Sequence, residues 1–118
     1  MTVNSYKDLF IWQRSMDLVE TIYRLTTTLP PSEQFGLIAQ MRRSTVSVPS
    51  NIAEGYGRQA TGEYRHYLLI CRGSLLELET QLLLCRRLKY LSEEETNPVL
   101  NEITEISKMV GSLIAKLS

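Results

Sequence analysis

The sequence lacks most of the features by which enzymes and membrane proteins are recognised. No apolar run approaches the roughly 20 residues of a membrane span, and the N-terminal residues do not resemble a secretory signal. His66 is the single histidine, so a catalytic triad would depend on it, and neither a nucleophile elbow nor a glycine-rich phosphate loop is present. We therefore expect a non-enzymatic, cytoplasmic protein with no small-molecule substrate.

Cysteine is also scarce, with Cys71 and Cys85 as the two examples. If both lie on one helix, as predicted below, their separation is about 21 Å. A disulfide cannot span that distance. We expect both thiols to act as small buried hydrophobes in a reducing compartment.

The length and the apolar pattern predict one helical domain. The 118 residues, of which 43% are hydrophobic, are enough for a single core over residues 1–118 without a metal or a disulfide. Four segments repeat apolar residues at alternating steps of three and four, and none shows sustained strand alternation. The sequence therefore predicts an all-α fold, an antiparallel up-down-up-down four-helix bundle with left-handed packing.

The first two helices are bounded by proline and glycine. The first is predicted from about Asp8 to Leu29, where two prolines follow. The second is predicted to begin after Ser32 as N-cap and to continue, kinked, through Pro49. The core faces are predicted to be Leu9, Trp12, Met16, Val19 and Tyr23 in the first, and Ile38, Met41, Thr45, Val48 and Ile52 in the second. Gly55 and Gly57 are predicted to end the second helix.

The third and fourth helices have the most regular patterns. Thr61 is the predicted N-cap of the third, and Ser92 with Glu95 forms a predicted capping box at the fourth. The predicted core faces are Tyr64, Leu68, Cys71, Leu75, Leu78, Leu82 and Cys85, and then Val99, Ile103, Ile106, Val110, Leu113 and Leu117. Further apolar residues widen the third helix, which predicts that a second side of it is covered: Tyr67, Leu76, Leu83, Leu84 and Leu88.

Charge is balanced overall but unevenly distributed. The chain has 13 basic and 13 acidic residues, yet residues 42–89 hold eight basic and four acidic ones. Such a segment can bind phosphates, or it can pair with acidic groups of a neighbour. The candidate phosphate-binding residues are Arg42, Arg43, Arg58, Arg65, Arg72 and Arg86. Three nearby tyrosines could stack on bases or belong to the core: Tyr56, Tyr64 and Tyr67.

Two smaller patterns bear on chemistry and packing. Glu63 and His66 have the Glu-x-x-His spacing of di-iron bundles, but one such pair is too few ligands, so we expect no metal or cofactor. Glu54 is expected to be buried and paired with an arginine or with backbone amides. Gly73 and Ser74 in mid-helix predict a close approach of another helix, within the bundle or across a subunit contact.

Several segments together resemble the signature of the 23S rRNA intervening-sequence proteins, also called the S23 or four-helix-bundle protein family. The resemblance covers essentially the whole chain, and its most specific part runs from Ser47 to Gly55. The matching segments are Leu9-Phe10-Ile11-Trp12-Gln13, Phe35-Gly36-Leu37, Arg42-Arg43-Ser44, Val46-Ser47-Val48-Pro49-Ser50-Asn51-Ile52-Ala53-Glu54-Gly55, Gly57-Arg58, Glu63-Tyr64, Tyr67-Leu68 and Gly73-Ser74-Leu75-Leu76-Glu77-Leu78-Glu79-Thr80.

The resemblance implies a bacterial four-helix bundle that assembles as a homopentamer. It also implies a link to ribosomal RNA, although the molecular role of the family is not established. Residues of the motif then become candidates for subunit contacts or a shared polar cluster: Pro49, Asn51, Glu54, Gly55, Gly73 and Ser74, beside the arginines of the second helix.

Two function hypotheses follow. In the first, the oligomer binds structured RNA or a ribonucleoprotein through the arginines. In the second, it is a protein–protein adaptor, and the arginines close subunit or partner interfaces without nucleic acid. Loss of the oligomer on replacing Arg42 or Arg43 would favour the second.

Overall fold

The computed structural model describes residues 5–117, and all regular structure within that range is helical. Two single-turn 3-10 helices precede α1 and α2, at Tyr6–Asp8 and Pro31–Glu33. The four α-helices are α1 at Phe10–Thr26, α2 at Leu37–Gly57, α3 at Thr61–Arg87 and α4 at Glu93–Lys116. The all-α, four-helix prediction is therefore confirmed.

Each helix packs against two others, in the ring order α1, α2, α3, α4 and back to α1. The described chain measures 43 × 24 × 23 Å, the elongated shape of a helix bundle. The contacts between α2 and α3 pair late residues of one with early residues of the other. Arg58 contacts Tyr67, Ser47 contacts Ser74, and Met41 contacts Cys85.

The core faces of α2, α3 and α4 largely match their heptad patterns. The buried core includes Met41, Val48 and Ile52 of α2, and Leu113 and Leu117 at the end of α4 are half-buried. The fully or nearly fully buried residues of α3 and α4 are Leu68, Cys71, Leu75, Leu78, Leu82, Cys85, Val99, Ile103, Ile106 and Val110. The heptad patterns thus identified the apolar core residues of these helices, although polar side chains are also buried beside them: Ser44, Thr45, Ser74, Gln81 and Thr96.

The predicted core face of α1 is confirmed only in part, since Leu9 and Trp12 pack against the core and are half-buried. The buried apolar residues of α1 are Ile11, Leu18 and Ile22. Two predicted core residues are exposed, Met16 at 41% and Tyr23 at 40%. The buried face also carries Ser15 and Thr26, whose hydroxyls donate to the carbonyls of the residues four earlier, at 2.6 and 2.7 Å. Because these bonds satisfy the hydroxyls within the helix, Ser15 and Thr26 can occupy core positions. A prediction that follows only the apolar residues misses such positions and selects an adjacent face of α1.

The start of α2 also differs from its prediction. Ser32 lies in the 3-10 turn, and Gly36 is the N-cap. The Glu33 carboxylate accepts the Leu37 amide at 3.1 Å and the Tyr90 hydroxyl at 3.0 Å. Glu33 therefore supplies the acceptor for the first turn that Ser32 was expected to supply.

The predicted N-cap is confirmed for α4 and wrong for α3. The capping box of α4 is confirmed, because Ser92 accepts from the Glu95 amide and the Glu95 carboxylate accepts from the Ser92 amide. Thr61 is the first residue of α3 rather than its cap, and the N-cap is Ala60.

Gly55 lies inside α2 and does not end it. A Cβ at this position would lie 2.7 Å from Cβ of Tyr67 and 3.3 Å from the carbonyl oxygen of Tyr64. The side-chain-free backbone of Gly55 thus permits close contact with α3. The chain leaves α2 just after Gly57 through Gln59, whose φ of 57° is left-handed although it is not a glycine.

The two cysteines are free and buried, as predicted. Burial raises the pKa of Cys71 to about 12 and, together with the charge of Glu33, that of Cys85 to about 11. The Cys85 thiol contacts the Met41 sulfur at 3.7 Å. Both thiols therefore stay protonated at neutral pH and pack as small apolar groups.

Candidate nucleic-acid interface

The arginines of α3 follow one side of the helix. Arg65, Arg72 and Arg86 are separated by seven or fourteen residues, and a seven-residue step advances about 10.5 Å along the same face. Glu79 occupies the remaining position of this series, between Arg72 and Arg86, and is half-buried. We call these three arginines the α3 stripe. The α3 stripe therefore places three positive charges along one face of the helix.

The members of the α3 stripe differ in their partners. The Arg86 guanidinium pairs with the exposed Glu93 carboxylate at 3.1 Å. Within residues 5–117, Arg72 is exposed and has no side-chain hydrogen bond or ion pair, and Arg65 has no carboxylate partner. The Arg65 Nε is buried and donates to no acceptor. A charged donor in that state is costly unless an acceptor is supplied.

Arg42 lies at the contact between α1 and α2, away from the α3 stripe. Its Nε donates to the Thr26 hydroxyl at 2.9 Å and a terminal nitrogen donates to the Tyr23 carbonyl at 3.4 Å. The guanidinium carbon lies 4.5 Å from the centroid of the Tyr23 ring, a cation–π contact. These contacts tie α2 to α1 and hold the Arg42 guanidinium beside Tyr23.

Arg58 is held at the opposite junction, between α2 and α3. It donates to the Glu54 carboxylate at 2.8 Å and to the Tyr67 hydroxyl at 2.9 Å, and its guanidinium lies 5.3 Å from the centroid of the Tyr67 ring. Glu63 lies 3.8 Å away. The hydrogen bond to Glu54 is the main reason that the pKa of Arg58 is raised above its ordinary value. Glu54 pairs with an arginine as expected, but it is exposed and not buried.

Arg43 is exposed on α2, and no hydrogen bond or ion pair holds its side chain in the described part of the chain. The six candidate arginines therefore fall into two groups. Arg42, Arg58 and Arg86 have partners in their own chain. The other three have no side-chain hydrogen bond or ion pair within residues 5–117: Arg43, Arg65 and Arg72.

The motif residues form a polar junction between α2 and α3. The Asn51 amide donates to both the carbonyl and the hydroxyl of Ser47, each at 2.8 Å, and the Ser47 hydroxyl contacts the Ser74 hydroxyl at 2.8 Å. Ser47 is a member that the sequence did not single out, although it lies in the motif. Gly73 differs from Ser74, because a Cβ there would meet nothing within 4 Å.

Pro49 lies beside Met16 in a shallow groove between α1 and α2, which has a volume of about 340 Å³. The groove also contains Trp12 and Val19, which were predicted to be core. On α3, further apolar side chains are exposed on the helix surface: Ile70, Leu76, Leu83, Leu84 and Leu88. The α3 side chains lie outside the core of the single chain and are available for contacts with another molecule. In the groove, by contrast, Pro49 is buried and Trp12 packs against the core.

The Glu63 and His66 pair does not acquire further ligands. Among residues 5–117, no three histidine, cysteine, aspartate or glutamate side chains lie close enough together to hold a metal ion. The His66 ring contacts the Tyr67 ring edge-on, at 5.5 Å between centroids. In the same range, no helix combines the length and the apolar character needed to cross a membrane.

The fold and this surface define a small helical protein with an arginine stripe, exposed apolar patches and a polar α2–α3 junction. The chain belongs to the family of 23S rRNA-intervening sequence proteins, whose family model matches residues 7–112. It is similar to a crystal structure from Bacteroides thetaiotaomicron, described as a protein with unknown function from the S23 ribosomal protein family. That structure is 26% identical with a TM-score of 0.79, over 88% of this chain and 97% of the other. No curated protein matches the chain.

Proposed function

We propose that this protein is a non-enzymatic, cytoplasmic homopentamer that binds structured RNA through the α3 stripe. The observation that carries the proposal is that Arg65 and Arg72 lie two turns apart on one face and have no carboxylate partner in residues 5–117. The proposal includes an up-down-up-down antiparallel order of the helices, left-handed packing and a kink in α2 at Pro49.

Electrostatics explain how a chain of zero net charge could bind RNA. An arginine without an internal carboxylate can give its donors to phosphate oxygens, and the counterions that this releases favour binding. Each subunit of a ring would add its own α3 stripe, so several weak contacts could be made at once. The family name, which refers to ribosomal RNA, supports RNA as the polyanion.

Replacing Arg65 and Arg72 together by alanine is expected to weaken RNA binding and to flatten its salt dependence. Each lost phosphate contact removes about one from the slope of log K against log salt concentration. Filter binding or fluorescence anisotropy with a structured RNA at several salt concentrations measures both quantities. The matched control is Lys7→Ala with Arg24→Ala, which removes the same charge from exposed positions outside residues 42–89.

The control should keep nearly all of the affinity and the slope of the unmodified protein. Equal losses in both double variants would mean that only net charge matters. An absence of binding by the unmodified protein at low salt would contradict the proposed function.

The alternative is a protein–protein adaptor without nucleic acid. It is favoured by the exposed apolar side chains, since Leu76 is 57% and Phe35 88% exposed. It is also favoured by the internal partners of Arg42, Arg58 and Arg86. In this alternative Arg43 closes a subunit contact, so Arg43→Ala should reduce the oligomeric mass while no RNA binds to either form.

A further inference from the structure

A cavity of about 370 Å³ lies where the connection between α2 and α3 meets the end of α4. Sites for small ligands begin at about 300 Å³, so this volume suits one flat ring system with part of its sugar. The cavity is lined by Tyr56, Gln59, Ala60, Thr61, Tyr64 and Leu117.

The walls of this cavity combine aromatic faces with hydrogen-bonding groups. The rings of Tyr56 and Tyr64 meet edge-to-face, with centroids 5.9 Å apart and planes at 87°. In an edge-to-face pair, the partner ring leaves at least one face of each ring uncovered. The side chains of Gln59 and Thr61 are exposed, and neither makes a hydrogen bond within the described residues. A glutamine amide both donates and accepts, as the edge of a nucleobase does.

The charges around the cavity decide which arginine could meet a phosphate. Arg58 adjoins the cavity in sequence, but Glu54 and Tyr67 already hold its guanidinium. Arg65 lies one helical turn after Thr61 on the same side of α3. Its side chain is half-buried, and no carboxylate pairs with it in the part of the chain that the structure describes.

We propose that this cavity takes one unpaired nucleobase of a bound RNA, which stacks on Tyr56 while Gln59 bonds its edge and Arg65 binds the neighbouring phosphate. The inference rests on the proposed RNA binding and extends it. It explains why a cavity with aromatic walls lies at one end of the α3 stripe. Stacking on an aromatic side chain tolerates any base, so the site selects for an unpaired nucleotide and not for a sequence.

The test compares three ligands: a fully paired RNA hairpin, the same hairpin with one unpaired 2-aminopurine nucleotide, and free AMP. The unpaired nucleotide should tighten binding about tenfold, the effect of one base stacked on an aromatic ring. The 2-aminopurine fluorescence should also change on binding. AMP should bind weakly and compete with the fluorescence change.

Two variants identify the cavity. Tyr56→Leu removes the aromatic face, and Gln59→Gly removes the amide at a left-handed position that glycine adopts without strain. Tyr56→Leu should abolish the tenfold preference, and Gln59→Gly should reduce it, while binding of the paired hairpin is unchanged. Tyr23→Leu, an exposed tyrosine of α1 outside the cavity, is the control. Thermal unfolding of each variant shows that it is folded.

The outcomes separate this inference from the proposed function. Equal, salt-dependent binding of both hairpins would overturn the unpaired-base site and leave RNA binding intact. Binding of AMP without binding of either hairpin would overturn RNA as the source of the base. Binding of none of the three ligands would overturn both proposals.

Discussion

Replacing Leu75 by alanine is expected to lower the free energy of unfolding by about 2–5 kcal/mol. Leu75 is fully buried in the middle of α3, within the core shared by the helices. The substitution removes apolar contacts and leaves a cavity that close-packed neighbours can fill only in part. A domain of this kind has a total stability of about 5–15 kcal/mol, so the loss would be a large fraction. Urea denaturation at fixed protein concentration measures it.

The adjacent residue provides the matched control. Leu76→Ala is the same chemical change at a side chain that is 57% exposed, and we expect the free energy of unfolding to change by no more than about 0.5 kcal/mol. Equal losses at the two positions would contradict the assignment of the core face of α3. A loss at Leu76 that grows on dilution would instead locate a subunit contact on this face.

Gly55→Ala is expected to destabilise the protein by about 1–3 kcal/mol, the usual cost of overpacking. In an exposed helix the same change would stabilise by about 1 kcal/mol, because alanine is the better helix former. Here the new Cβ would lie 2.7 Å from Cβ of Tyr67 and 3.2 Å from the ring of Tyr64. The Cβ of Tyr67 and the nearby carbonyl of Tyr64 cannot move without the backbone of α3. The two helices α2 and α3 must therefore move apart to accept the alanine.

Gly73→Ala should have the opposite sign. Gly73 is exposed within α3, and its new Cβ would meet nothing within 4 Å. We expect a gain of about 0.5–1 kcal/mol from helix propensity. Chemical denaturation of both glycine variants tests the pair, and stabilisation by Gly55→Ala would contradict the close packing of α2 on α3. Destabilisation by Gly73→Ala, with a smaller mass in solution, would mean that Gly73 lies in a subunit contact.

The sequence predicted the helices best where local signals and packing agree. In α3 and α4 the residues at alternating steps of three and four are almost all apolar and almost all buried. The capping box at Ser92 needs only residues three apart, so it could be recognised without knowing the tertiary structure. Helix number and type followed from such short-range patterns.

The failures occurred where a distant contact decides the role of a residue. The buried hydroxyls of Ser15 and Thr26 are satisfied by their own helix, which local hydrophobicity does not reveal. The sequence alone does not show whether a glycine near a helix end terminates the helix or permits close packing against another helix. Gly55 permits close packing against α3. Glu33 caps α2 from outside the helix and is held there by Tyr90, 57 residues away.

The arginines show the same distinction at the candidate site. The heptad spacing of Arg65, Arg72 and Arg86 could be read from the sequence, and it describes one face of α3. The partners could not be read, because Arg42 contacts α1 and Arg86 contacts the first residue of α4. Within residues 5–117 the candidates without a hydrogen bond or ion pair in their own chain are therefore Arg43, Arg65 and Arg72.

Light scattering of the purified protein, with and without a structured RNA, tests assembly and RNA binding together. The account predicts the mass of five copies of the 13.5 kDa chain, an increase in mass when RNA is added at low salt, and reversal of that increase at high salt. The mass of a single chain that RNA leaves unchanged would contradict it.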